Sequence, residues 1–205
     1  MPTLQRFLAA AAVVAAVAGQ PALARAQDYA AARAGLAAAV GVGISSAGIT
    51  CTPRCGGDRS TGPTYTVRGV ANVNPQLAIV VEGNGFYHPV PRAEGAGRWQ
   101  LTWVTLGAMW YPTEEGDAYL RVGFGAAITH AHATFPTVGA LDLNTRDVGM
   151  VIGVGRDYRL TERYGFTLHA DYMVTPQSVG YLYAVDSGAK VGADVINVGI
   201  AAIVF

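Results

Sequence analysis

The chain has 205 residues, with 14 basic and 14 acidic side chains and no net charge. That balance excludes a basic face for nucleic acid, and the length suits a single domain. Half of the chain is hydrophobic (51%), only 14% is charged, and 26 residues are glycine.

The first 26 residues read as a cleaved export signal. Arg6 supplies the basic start, residues 7–18 form an unbroken apolar run, and Ala24-Arg25-Ala26 is a small-x-small cleavage site, which predicts cutting before Gln27. The apolar run is too short for a membrane-spanning helix, which needs roughly 20 residues, and Pro21 ends it. Residues 27–205 are then the mature domain, 205 − 26 = 179 residues, with 12 basic and 14 acidic groups and a charge of −2. No segment of it could span a bilayer as a helix. If it enters a membrane it must do so as a closed barrel, because lipid offers no partners to an open sheet edge.

Eight strand-like segments follow, each alternating bulky apolar residues with small or polar ones, the dyad pattern of a transmembrane barrel. In the first, Leu36, Ala38, Val40, Val42 and Ile44 share a face opposite Gly41 and Gly43. Between it and the second lie Cys51 and Cys55, in a stretch rich in turn-forming residues. In an oxidising compartment these predict a disulfide pinching one loop, whereas a metal site would want more ligands at matching spacing. The second segment sets Tyr65, Val67, Gly69 and Ala71 against Thr64, Thr66, Arg68 and Val70. The third sets Ile79, Val81 and Gly83 against Val80, Glu82 and Asn84.

The fourth, residues 99–110, is ambiguous, because Leu101 and Trp103 compete with Val104, Leu106, Ala108 and Trp110 for the lipid face. In the fifth, Leu120, Val122, Phe124, Ala126 and Ile128 oppose Tyr119, Arg121, Gly123, Gly125 and Thr129. The sixth sets Val148, Met150, Ile152 and Val154 against Asp147, Gly149, Gly153, Gly155 and Asp157. The seventh sets Phe166, Leu168, Ala170 and Tyr172 against Thr167, His169 and Asp171. The eighth, residues 190–205, is apolar on both faces near its end, and anchoring its register on Phe205 puts Ile203 and Ala201 outward.

Connections alternate between short (72–75, 112–116, 159–163) and long (46–61, 88–97, 131–144, 176–189), as expected of short periplasmic turns and longer external loops. Aromatics gather near strand ends, where headgroup depth suits a ring with one apolar and one wet side. Trp110, Tyr111, Tyr119, Tyr158, Tyr164, Phe166 and Phe205 flank the short turns; Tyr65, Phe86, Tyr87, Trp99 and Tyr172 lie toward the long loops.

An eight-stranded lumen is only wide enough to be filled by side chains. Arg68, Glu82, Arg121, Asp147, His169, Asp171 and Asp194 are expected to point into it, and buried charges persist only when paired. An ionic network crossing the interior is therefore predicted, with Arg68 and Arg121 as its cations. A proton or solute path lined by the same residues is the alternative.

The candidate catalytic bases are His88, His130, His132 and His169. His130 and His132 share a side of an extended segment, yet no serine accompanies them, the His-x-Ser arrangement of outer-membrane lipid A deacylases is absent, and no Gly-rich phosphate cradle is present. A weak metal site at the histidine pair is the remaining chemical reading. No cofactor is implied.

The glycine-rich Gly41 to Gly43 strand, the Asn74-Pro75 turn, the following Glu82-Gly83 strand and the terminal Phe205 together resemble the outer-membrane β-barrel domain proteins, related to small barrels of the OmpX and OmpA type. The resemblance covers nearly all of the mature chain and is one of layout. It implies an all-β, eight-stranded, antiparallel up-and-down barrel, assembled by the outer-membrane insertion machinery through a last strand ending in Phe205. Asn197 departs from the pattern, standing where an outward apolar residue is expected. The reading is a non-enzymatic barrel of a Gram-negative-type outer membrane, in contact with its lipid and carrying exposed loops for an unspecified external ligand. A lipid-modifying enzyme and a soluble lipocalin-like carrier are the competing classes. The carrier would carry its apolar face inside.

Overall fold

The computed structural model describes residues 35–52, 59–90, 96–114, 116–135, 139–182 and 185–205. The export signal, its cleavage site and Cys55 lie outside the described residues, as does the side chain of Cys51. Eight strands form one closed antiparallel barrel in sequence order: β1 (Gly35–Thr52), β2 (Ser60–Asn74), β3 (Leu77–Val90), β4 (Ala96–Trp110), β5 (Ala118–Phe135), β6 (Gly139–Arg159), β7 (Tyr164–Leu182) and β8 (Val185–Val204). β8 closes the ring by pairing with β1.

Stepping sideways through paired residues from Ala38 leads to Gly69, Val81, Leu106, Phe124, Met150, Val174 and Asp194, and then back onto β1 at Gly48. The return is displaced by 48 − 38 = 10 residues. Such a stagger tilts the strands by about 40–45° and leaves an interior that side chains fill. With that tilt each residue adds about 2.4 Å of height.

Alternation of the pleat sorts the residues. Outward-facing Val42 is 65% exposed, whereas inward-facing Arg121 is 3% exposed. Outward apolar residues, from Leu36 and Val204 at the turn end to Val148 and Tyr87 nearer the loops, fill a belt roughly 25 Å tall, the thickness of hydrocarbon. A soluble carrier would have the reverse arrangement.

The turn end is held by side-chain chemistry that the sequence supplies. Asn74 Oδ1 accepts the backbone N–H groups of Gln76 (2.9 Å) and Leu77 (2.8 Å), so the β2–β3 hairpin is an Asx-type turn. Thr161 does the same for Arg163 and Tyr164 between β6 and β7.

Four expectations change. Leu101 and Trp103 face inward, which resolves β4, because the indole fills space left by Gly149. A Cβ there would come within 2.5 Å of Trp103 Cδ1. In β8, Ala201 and Ile203 face inward, while Val198, Ile200 and Val204 take the lipid side. Asn197 decides this: it is buried opposite Asp171, and a period of two carries every second residue inside with it.

Tyr111, Tyr119, Phe86 and Trp99, assigned to the interface girdles, also lie inside. Their neighbours Trp110, Tyr164, Tyr65, Tyr87 and Tyr172 remain outside. Finally, much of the long connections is strand. Ser46 pairs with Thr61 and His88 with Trp99, since an antiparallel ladder continues beyond the apolar belt wherever both partners stay extended.

Candidate functional site in the barrel interior

The lumen is layered. Toward the loops, Phe86, Trp99, Leu101, Trp103, Val151, Met173 and Val195 form an apolar plug. Toward the turns, Val70, Val80, Met109, Tyr111 and Tyr119 form a second apolar cluster, with Ala39, Ala201 and Ile203 beside it. Between them, near mid-height of the belt, lies a polar layer.

Glu82 of β3 is its hub. It accepts from Arg68 Nε at 2.5 Å, contacts the Arg121 guanidinium, and accepts from the amide of Asn84. Arg121 in turn donates to Asp171 at 2.5 Å. Two arginines thus face two carboxylates, and none of the four is more than 3% exposed. Arg68 also donates to Tyr119 (2.9 Å), whose hydroxyl meets Thr167 at 3.0 Å. Asp171 receives Asn197 Nδ2 at 3.3 Å, and the Asn197 carbonyl oxygen accepts from Ser45 and Thr64. Six of the eight strands contribute, β4 and β6 giving none of these groups. His169 lies 3.6 Å from Asp171, its ring facing Gly199 across β8.

The structure therefore brings Arg68, Glu82, Arg121, His169 and Asp171 together. Asp147 is not among them: it faces the lumen higher up, half-buried, and accepts from the Val148 backbone. Asp194 departs further. It sits on the outward face near the loop end, where it pairs with Arg59 of the β1–β2 connection, which also bonds Ser46. The reason is the β8 register: inward Asn197 and Val195 place Asp194 on the other side. Sequence reasoning misses Tyr119, Thr167, Asn84, Asn197 and Thr66, which donates to Asn84 at 2.8 Å, as members; Thr167, Asn84 and Thr66 occupy the strand faces expected of them, and Tyr119 the face it shares with Arg121 rather than the interface girdle. At the turn end a further polar set joins Tyr111 to Asp157 (3.0 Å) and Arg156 to Asp117 (2.8 Å).

The arrangement neutralises itself and exposes no nucleophile. Ser45 donates to Asn197 rather than to a histidine. His130 points outward and Thr129 inward, so they do not share a site, and the His132 side chain lies outside the described residues. His88 is near the Thr61 carbonyl (3.1 Å) and stacks on Phe86. Among the described residues no group of three or more His, Cys, Asp or Glu is placed to hold a metal.

No protein-family description and no curated protein sequence matches the chain. Solved structures do. The attachment invasion locus protein Ail of Yersinia pestis aligns over 83% of this chain and 99% of its own, at 12% identity and a TM-score of 0.54. Neisserial surface protein A aligns over 80% and 97%, at 13% identity and 0.51. The outer membrane protein OprG from Pseudomonas aeruginosa aligns over 83% and 96%, at 15% identity and 0.51. At these identities the likeness is one of fold: the chain has the eight-stranded barrel of small outer-membrane proteins.

Proposed function

We propose that this protein is an integral, non-enzymatic barrel of a Gram-negative-type outer membrane, with a sealed interior and a structural or surface-interaction role carried by its external hairpins. One observation carries the reading: bulky apolar side chains cover the outside in a bilayer-deep belt while two arginines and two carboxylates are sealed within. Lipid rewards the first feature, and only internal pairing makes the second tolerable. Solved outer-membrane barrels of the same fold support the location. The apolar plug above the ion pairs supports a closed wall rather than a solute path.

In this reading residues 1–26 are removed on export, Cys51 and Cys55 form a disulfide on the external side, and Phe205 is the aromatic end recognised by the insertion machinery. Its backbone N–H bonds to the Arg163 carbonyl, tying the last residue to the β6–β7 turn. A lipid-modifying activity would need a nucleophile and base at the rim, and the described residues assemble none.

Cell fractionation tests the proposal. The mature protein is expected to sediment with outer membranes and to resist alkaline extraction. Release by osmotic shock with soluble periplasmic proteins would overturn it. N-terminal sequencing of the same material is expected to begin at Gln27.

A further inference from the structure

The outer rim is chemically uneven. Just above the apolar belt, three adjacent strands carry outward-facing Arg98 (β4), His130 (β5) and Arg146 (β6), all exposed. Their register is Arg98 opposite His132, Gln100 opposite His130, His130 opposite Asn144, and Ile128 opposite Arg146. Read on the strands alone this is a diagonal. The ten-residue stagger tilts the diagonal back: the paired rung climbs toward the loops from Ala38 to Gly48 in one circuit, about 1.25 residues per strand from β4 to β6, against the diagonal's descent of two. Arg98, His130 and Arg146 therefore lie within about 4 Å of one height, with backbones roughly 8 Å apart along the band. Exposed Asn144 and half-exposed Gln100 fill the positions between them.

Among the described residues none of these three groups has an acidic partner. The contrast lies across the barrel at the same level, where Arg59 is already neutralised by Asp194. Backbone register puts Asp142 opposite His132, one rung nearer the loops. Below the band the wall becomes apolar and exposed, at Val148 next below Arg146, and at Val104 and Phe124 beyond Gln100 and Thr102 on β4 and Ile128 and Ala126 on β5.

The geometry points to a binding site for the phosphate groups of an anionic glycolipid of the outer leaflet, whose acyl chains lie along the β4–β6 wall. This rests on the membrane reading above. A soluble anion would gain only the charges. A lipid gains charge and wall together, because inserting its chains already brings its headgroup to the height of the band. Unpaired cations at headgroup depth attract anionic lipid by about fivefold each, and arginine suits phosphate through paired donors.

The test uses the mature full chain in phosphatidylcholine nanodiscs doped with bisphosphorylated lipid A or with the same glycolipid freed of phosphate. The lipid retained per barrel is measured by mass. Enrichment of the phosphorylated form is expected, falling by about 25-fold in Arg98→Gln/Arg146→Gln, at about fivefold per arginine. It is expected to weaken at high ionic strength, to survive Arg163→Gln at the opposite end, and to resist competition by inorganic phosphate.

Retention by the double variant within about twofold of the unsubstituted chain would overturn the inference, since fivefold per arginine is the claim. Equal loss in Arg163→Gln, insensitivity to salt, or displacement by inorganic phosphate would do the same. Should the double variant fail to insert, Arg98→Gln and Arg146→Gln are read singly. If the unsubstituted chain does not insert into nanodiscs at all, the membrane reading fails instead.

Discussion

Replacing Glu82 by Gln should be among the most damaging conservative changes in this protein. Among the described residues Glu82 is the one carboxylate that touches both arginines of the polar layer, and it also accepts from Asn84. The substitution preserves volume and leaves two guanidinium groups facing a single carboxylate, Asp171, in a layer at most 3% exposed. Removing one partner of a buried pair costs about 3–5 kcal/mol, because the charge left behind has neither water nor counter-ion. The opposite case stands in the same barrel: Arg59 and Asp194 are about a quarter exposed, at 21% and 27%. Asp194→Asn should therefore cost no more than about 1 kcal/mol. Reversible urea unfolding in lipid vesicles, followed by tryptophan fluorescence, measures both. A cycle with Arg68→Gln should show that Glu82→Gln is less harmful once one arginine is gone. If Glu82→Gln cost under about 1 kcal/mol, or matched Asp194→Asn, the charges would not be sealed and the account of the interior would be wrong.

Three further outcomes follow from the packing. Gly149→Val should destabilise the barrel by about 1–3 kcal/mol through overpacking and shift tryptophan emission, since its side chain would run into Trp103 and Ala127; a neutral result would place the indole elsewhere. Phe124→Arg, on the exposed wall at mid-belt, should cost about 2–4 kcal/mol in a bilayer, and unchanged stability there would argue against lipid contact. Asn197→Val should cost about 1–3 kcal/mol by leaving the hydroxyls of Ser45 and Thr64 without their acceptor. Unfolding midpoints read that loss, and a stabilised variant would contradict the β8 register.

The candidate site was legible to the degree that parity was legible. In β2, β3, β5 and β7 one face is bulky and apolar and the other small or polar, so Arg68, Glu82, Arg121, His169 and Asp171 could be assigned inward from their own strands. Reading failed where both faces are apolar. In β4 the interior takes Leu101 and Trp103 because Gly149, two strands away, makes the room, and no local pattern in β4 carries that information. In β8 the terminal aromatic points to the wrong register. The stronger constraint was Asn197, whose amide costs more in hydrocarbon than Ile203 costs inside. Asp194 was misplaced with the same slip.

The order of residues in this chain was enough to specify a closed eight-stranded barrel, its bilayer-deep apolar belt and most of its buried ionisable groups, because a strand's period of two is a local property and lipid makes its reward one-sided. Which charge meets which, and the alignment of Arg98, His130 and Arg146 into one band, were decided only on closure. Both depend on the stagger between the first strand and the last, a quantity that no single strand contains.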